Sequence, residues 1–112
     1  MLKVASAVHK ISNPVQISWG KTSNILRQVA EYLTITGTDN ITRPLLAKDW
    51  QASDDLKTWT FNLRQGIKFN NGDDFTADDV FFTLKMWLDE EATSSMLGLV
   101  GSYLSPEGIE KT

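Results

Sequence analysis

Apolar and polar positions alternate with two different periods inside residues 50–88, and the change of period predicts the elements there. Trp59, Phe61 and Leu63 alternate with Thr58, Thr60 and Asn62, giving one apolar and one polar face, as a half-buried strand requires. Ser53-Asp54-Asp55 ahead of it is turn chemistry, because short side-chain oxygens bond the neighbouring backbone. Trp50, Gln51 and Ala52 are therefore read as the hairpin partner. Further on, Val80, Phe81, Leu84, Trp87 and Leu88 recur at helical spacing and predict an amphipathic helix over 77–89. Thr76 stands at its N-cap, and Asp78 and Asp79 fall in the first turn, where the helix dipole favours negative charge. Asn70-Asn71-Gly72, between strand and helix, reads as a turn whose Gly takes positive φ.

The rest of the chain is less regular. Leu2, Val4, Ser6 and Val8 alternate with Lys3, Ala5, Ala7 and His9, which predicts a strand over 2–9. Residues 11–24 are rich in Ser, Asn, Pro and Gly and read as loop, although Trp19 is unusual in a loop with nothing to pack against. Thr22 or Ser23 caps a second predicted helix carrying Ile25, Leu26, Val29, Tyr32 and Leu33. Residues 34–42 are β-branched and turn-rich, and Pro44 ends them. A short helix within 92–99 contains Met96, and 109–112 read as the start of a strand.

Six pieces of the chain stand in a fixed order: Pro44-Leu-Leu-Ala47, Trp50, Ser53-Asp54-Asp55, Trp59-Thr-Phe-Asn-Leu-Arg64, Lys68-Phe-Asn-Asn-Gly72 and Thr76-Ala-Asp-Asp-Val80. Together they resemble the solute-binding proteins of bacterial ABC importers, the extracellular solute-binding family 5, which includes oligopeptide-, dipeptide- and nickel-binding proteins. The resemblance implies an α/β fold: a small mixed sheet with flanking helices, part of one lobe of a type II periplasmic-binding-protein-like fold. Residues 1–112 are then a single domain, an N-terminal lobe fragment of a longer two-lobed protein. The implied function is capture of a peptide or similar small solute outside the cytoplasmic membrane for delivery to ABC permease subunits. No enzymatic activity and no cofactor are implied. The location is periplasmic or extracytoplasmic, with lipid anchoring open to the full-length protein.

The same resemblance supplies candidate contacts. Asn13-Pro14 stands where the family carries an Asp-Pro or Asn-Pro pair, and counting forward puts Ser18, Trp19 and Gly20 on the ligand-contacting segment. The count from Thr76 puts Met96 where relatives carry a cleft-facing aromatic, so an apolar contact replaces stacking there. Residues fixing a peptide's charged terminus lie mostly in the other lobe, which leaves peptide, sugar and nickel chelate undistinguished. A ligand-sensing domain of a transcriptional regulator is the alternative, and a stand-alone interaction module is disfavoured by the unfinished strand at Ile109.

Composition narrows the classes. At 112 residues the chain has the length of one domain with a modest core. A net charge of −3 with 11 scattered Lys and Arg argues against nucleic acid, which needs clustered cations. The absence of Cys excludes a disulfide framework and a thiolate metal site, and His9, the single His, is insufficient for zinc. No apolar run of about 20 residues exists for direct membrane insertion, and no signal peptide is visible. Asp73, Asp74, Asp78 and Asp79 lack calcium-loop spacing and read as turn and helix-start charges. No Gly-x-Ser-x-Gly elbow occurs. Asn40-Ile-Thr42 fits a glycosylation sequon. Trp50, Trp59, Phe61, Phe69, Phe81 and Trp87 are assigned to the core, with Phe82 outside the apolar stripe.

Overall fold

The computed structural model describes residues 1, 3, 13–16 and 26–112, in two compact units: Glu31–Ala77, and Met1–Ala30 with Asp78–Thr112. In the first, β1 (Thr34–Thr36) pairs antiparallel with β2 (Thr42–Pro44), and β3 (Ala47–Ala52) pairs antiparallel with β4 (Trp59–Leu63). These are two separate two-stranded sheets rather than the single mixed sheet expected. Each connection is a short local turn, and such turns join antiparallel neighbours, whereas a parallel pair needs a long crossover.

The β3–β4 register matches apolar residues with apolar and polar with polar. Ala52 faces Trp59, Trp50 faces Phe61 and Ala47 faces Leu63, while Gln51 faces Thr60 and Asp49 faces Asn62. The ladder slips at Lys48, between Ala47 and Asp49, so β3 carries one extra residue there, a β-bulge. Strict alternation would send Ala47 and Trp50 to opposite faces. The bulge restores them to one face, on which Ala47 is 0% exposed and Trp50 and Ala52 are half-buried. The Trp50 and Phe61 rings stack at 6.5 Å, and Asn62 Nδ2 donates to Asp49 Oδ1 at 2.5 Å on the polar side.

The turns are held by their own side chains. In the β3–β4 loop the Ser53 hydroxyl donates to Asp55 Oδ1 at 2.5 Å and accepts from Thr58 N, while Lys57 N donates to Asp55 Oδ1. Leu56 takes φ +59°, and its carbonyl accepts the Trp59 indole N–H. In the β1–β2 turn Asp39 accepts from Ile41 N and from both Arg43 terminal nitrogens. Asn40, first residue of the sequon, has φ +59° and is exposed. Beyond β4, Lys68 and Asp74 form an isolated bridge closed by an ion pair at 2.6 Å. Gly72 has φ +94° there, as the Asn-Asn-Gly pattern predicts.

The helix α1 (Ala77–Leu88), which belongs to the other unit from Asp78 on, carries the expected stripe: Val80, Phe81, Leu84 and Trp87 are half-buried and Leu88 is buried. Thr76 directly precedes it. Phe82 is 64% exposed, as its place off the stripe requires. Lys85 lies over the Phe81 ring, 4.6 Å from its centroid. A second helix, α2 (Ser95–Val100), includes Met96. Ile109 is extended, and residues 109–112 lie in no ladder among the described residues; Lys111 pairs with Asp78 at the start of α1.

Two expectations change. The helix expected to reach Leu33 closes its last turn with Ala30 N donating to Leu26 O. Tyr32 and Leu33 instead give their carbonyls to the N–H groups of Leu46 and of Leu45 and Ala47, because Thr34-Ile35-Thr36 favours strand over helix. The core assignment of Trp59, Phe61 and Phe69 is also corrected: all three are exposed by 42% or more. For Trp59 and Phe61, pattern chooses the face of the strand, and a two-stranded ribbon has too little of its own to cover that face; Phe69 lies in the loop beyond β4, its ring meeting Phe75 edge-on at 5.9 Å. The strand over 2–9, Lys3 apart, and the cap at Thr22 or Ser23 lie outside the described residues.

Since Phe61 is half-covered, Phe61→Ala is expected to cost about 1–2 kcal/mol, less than the ~3–5 of a fully buried Phe. Thr60→Ala on the opposite face should stay within about 0.5 kcal/mol. Urea denaturation of both variants tests the face assignment, which equal losses would contradict. The acid side gives a second expectation. The Arg43 guanidinium, then the Ile41 N–H, holds the Asp39 carboxyl below the usual carboxylate range. The Ser53 hydroxyl, then the Lys57 N–H, does the same for Asp55. A carboxyl depressed in the folded state contributes stability above its unfolded pKa and loses it as pH falls through the folded one. Carboxyl NMR titration should therefore place both midpoints below that of an unperturbed aspartate, and Ser53→Ala should raise that of Asp55 alone.

Candidate functional site

Of the four candidate contact residues, Ser18, Trp19 and Gly20 lie outside the described residues, and Met96 stands in α2. What the structure adds is the surroundings of Met96. Asp89 ends α1, and its Oδ1 accepts Glu91 N at 2.9 Å while its carbonyl accepts Ala92 N. Ala92 and Ser94 are buried. Between them Thr93 takes φ +50°, a conformation that a β-branched residue adopts only under constraint. Ser94, extended at φ −69° and ψ 135°, accepts Met96 N through its hydroxyl and so caps α2. Ser94 thereby orients the helix start on which Met96, half-buried, is carried.

Thr93 is also reached from far along the chain. Asn13, Pro14 and the two residues after them form a tight turn in which Asn13 Oδ1 accepts Val15 N and its carbonyl accepts Gln16 N, both at 3.1 Å. Pro14 opens the 3-10 helix Pro14–Gln16, a position suited to its fixed φ and missing N–H. Gln16 Nε2 then donates to Thr93 Oγ1 at 3.0 Å across 77 residues of sequence. The turn that immediately precedes Ser18 in sequence is thus hydrogen-bonded to the segment that carries Met96. Gln16 and Thr93 escape notice in the sequence, which has no local period linking a Gln in a loop to a Thr in an Ala-Thr-Ser-Ser run.

Other candidates resolve into structure. Asp73 and Asp74 are engaged in the turn, with Asn71 Nδ2 donating to Asp73 and Lys68 Nζ to Asp74, and Asp78 pairs with Lys111. Among the described residues no group of three or more His, Cys, Asp or Glu is gathered for a metal ion. His9 lies outside them. An open depression of about 550 Å³ beside the bulge is lined by Lys48, Asp49, Asn62, Leu63, Arg64 and Ile67. Its polar groups hold the hairpin: Asn62 bonds Asp49, and Arg64 Nε donates to Leu45 O. No helix among the described residues is long and apolar enough to cross a membrane.

Comparison with known proteins agrees with the motif order. Residues 42–112 match the family described as bacterial extracellular solute-binding proteins, family 5 Middle. The periplasmic oligopeptide-binding protein OppA of Haemophilus influenzae is 35% identical over 88 residues, covering 79% of this chain and 16% of the relative. The dipeptide-binding protein DppE of Bacillus subtilis is 39% identical over 84 residues, 73% of this chain and 15% of the relative. The nickel-binding periplasmic protein of Escherichia coli is 38% identical over 69 residues, 62% of this chain and 13% of the relative. The chain thus spans less than a fifth of the length of these relatives.

Proposed function

Because the chain belongs to the bacterial extracellular solute-binding proteins of family 5, a family of binding proteins and not of enzymes, we propose that it forms the N-terminal part of one lobe of a two-lobed receptor. The full-length protein captures a peptide or similar small solute outside the cytoplasmic membrane and hands it to an ABC permease. The observation that carries this reading is the continuous family match over 42–112, reinforced by relatives named for oligopeptide and dipeptide binding. Capture works by hinge closure: a ligand touching both lobes binds the closed state better and shifts the population toward it. Ser18, Trp19, Gly20 and Met96 supply this chain's side of the cleft. The hydrogen bond from Gln16 to Thr93 supports placing their two segments on one wall. The lobe is of the type II periplasmic-binding-protein kind, and its remaining part covers the aromatic face of β3 and β4.

Calorimetry on the full-length protein against di-, tri- and oligopeptides, with sugars and nickel chelates in parallel, tests the proposal. Saturable peptide binding at micromolar strength or tighter, about −8 kcal/mol, is expected. Residues 1–112 alone should bind at least about a hundredfold more weakly, because one wall leaves much of the ligand in water. Saturation by none of these solutes would overturn it, as would equal affinity of the short chain. Within the full-length protein, Trp19→Ala should weaken binding about tenfold, as loss of an aromatic anchor does. Met96→Ala should weaken it less, and Met96→Trp should retain it. Affinity unchanged in all three would remove these residues from the site.

A further inference from the structure

Asn71 is the one Asn in this sequence followed by Gly, and it sits exposed in the turn between the Lys68–Asp74 bridge residues. A following Gly has no Cβ to keep its backbone nitrogen from the Asn side chain. We propose that Asn71 is a latent deamidation site which the folded turn holds in check, and whose product opens that turn. In the reaction the Gly72 nitrogen attacks Asn71 Cγ. A new Cγ–N bond forms, the Cγ–Nδ2 bond breaks, and ammonia leaves with the proton from Gly72. Water then opens the succinimide ring at either carbonyl, giving aspartate or isoaspartate.

Three hydrogen bonds oppose the attack. Gly72 N donates to Phe69 O at 2.9 Å, so the attacking nitrogen is engaged elsewhere. The Asn71 amide is held at both ends, its Oδ1 accepting Asp73 N at 3.1 Å and its Nδ2 donating to Asp73 Oδ2 at 2.7 Å. Turning Cγ toward Gly72 breaks both bonds to Asp73. The product reverses the arrangement. A carboxylate at position 71 meets the Asp73 carboxylate where an N–H had been, with Asp74 adjacent, and like charges at that distance repel. An isoaspartyl link also lengthens the backbone inside a turn closed by Phe69 N to Asp73 O and Phe75 N to Ile67 O, each 2.9 Å.

The test follows deamidation by peptide mapping in the purified full-length protein at mildly alkaline pH, beside a linear peptide of residues 66–78. Isoaspartate should appear at position 71 in both, at least about tenfold more slowly in the protein, as the loss of two side-chain hydrogen bonds implies. Asp73→Ala should bring the protein's rate toward that of the peptide. Both variants keep the backbone donor, but only Asp73→Asn keeps a side-chain acceptor for Asn71 Nδ2, and it should stay within about threefold of the parent. Melting midpoints taken alongside separate a change at the turn from general unfolding. Equal rates in folded protein and peptide would overturn the proposal. So would an Asn71 that stays intact while the peptide reacts and is no faster in Asp73→Ala.

Discussion

The register of the β3–β4 hairpin is the constraint on which the rest of its unit depends. A strand pairs side chains in twos, so a slip of one residue would exchange the faces and set Trp50 and Phe61 apart from Ala47. Lys48 absorbs that mismatch by standing out of the ladder. The fully buried Ala47 then occupies the position against which Leu33 places its carbonyl, 2.9 Å from Ala47 N. A larger side chain at a site with no exposed surface would displace that carbonyl and the start of β3 together.

Around Met96 the order is set by polar rather than apolar contacts. One buried Ser caps the helix, one Asp closes the preceding loop, and Gln16 donates to the Thr93 hydroxyl from far along the sequence. Such an arrangement fixes direction more than it adds stability, since each neutral hydrogen bond contributes only about 1 kcal/mol net. Direction is what the proposed cleft wall requires of its supports.

Legibility in the sequence followed the range of the interactions. The β3–β4 hairpin, the Asn-Asn-Gly turn and α1 were readable because alternation, turn chemistry and helical spacing act within a few residues. The bulge was not read, although the spacing of three between Ala47 and Trp50 marks it. Val29, Tyr32 and Leu33 satisfied a helical period, yet the carbonyls of Tyr32 and Leu33 are committed to residues 45–47, a demand that no local pattern records. For Trp59 and Phe61 the pattern gave the face, while coverage of that face depends on area the ribbon does not have. Of the candidate contacts, Met96 falls in a short helix, as expected within 92–99. The Gln16–Thr93 tie, formed across 77 residues, was beyond sequence reasoning.

The hairpin's self-contained turn also bears on how the chain is made. Ribosomes add about 5–20 residues per second, so each residue takes roughly a tenth of a second. A β-hairpin closes in about 1–10 μs, far sooner than the next residue arrives. Once Leu63 has left the exit tunnel, β3 and β4 can zip through the Ser53–Asp55 loop while the segment that forms α1 is still inside the tunnel and cannot pack on them. The nascent chain then carries an aromatic ribbon with open edges, the kind of surface that recruits other strands. Lys48, projecting from the bulge on one edge strand, interrupts that template, so the residue that sets the register also guards the chain during synthesis.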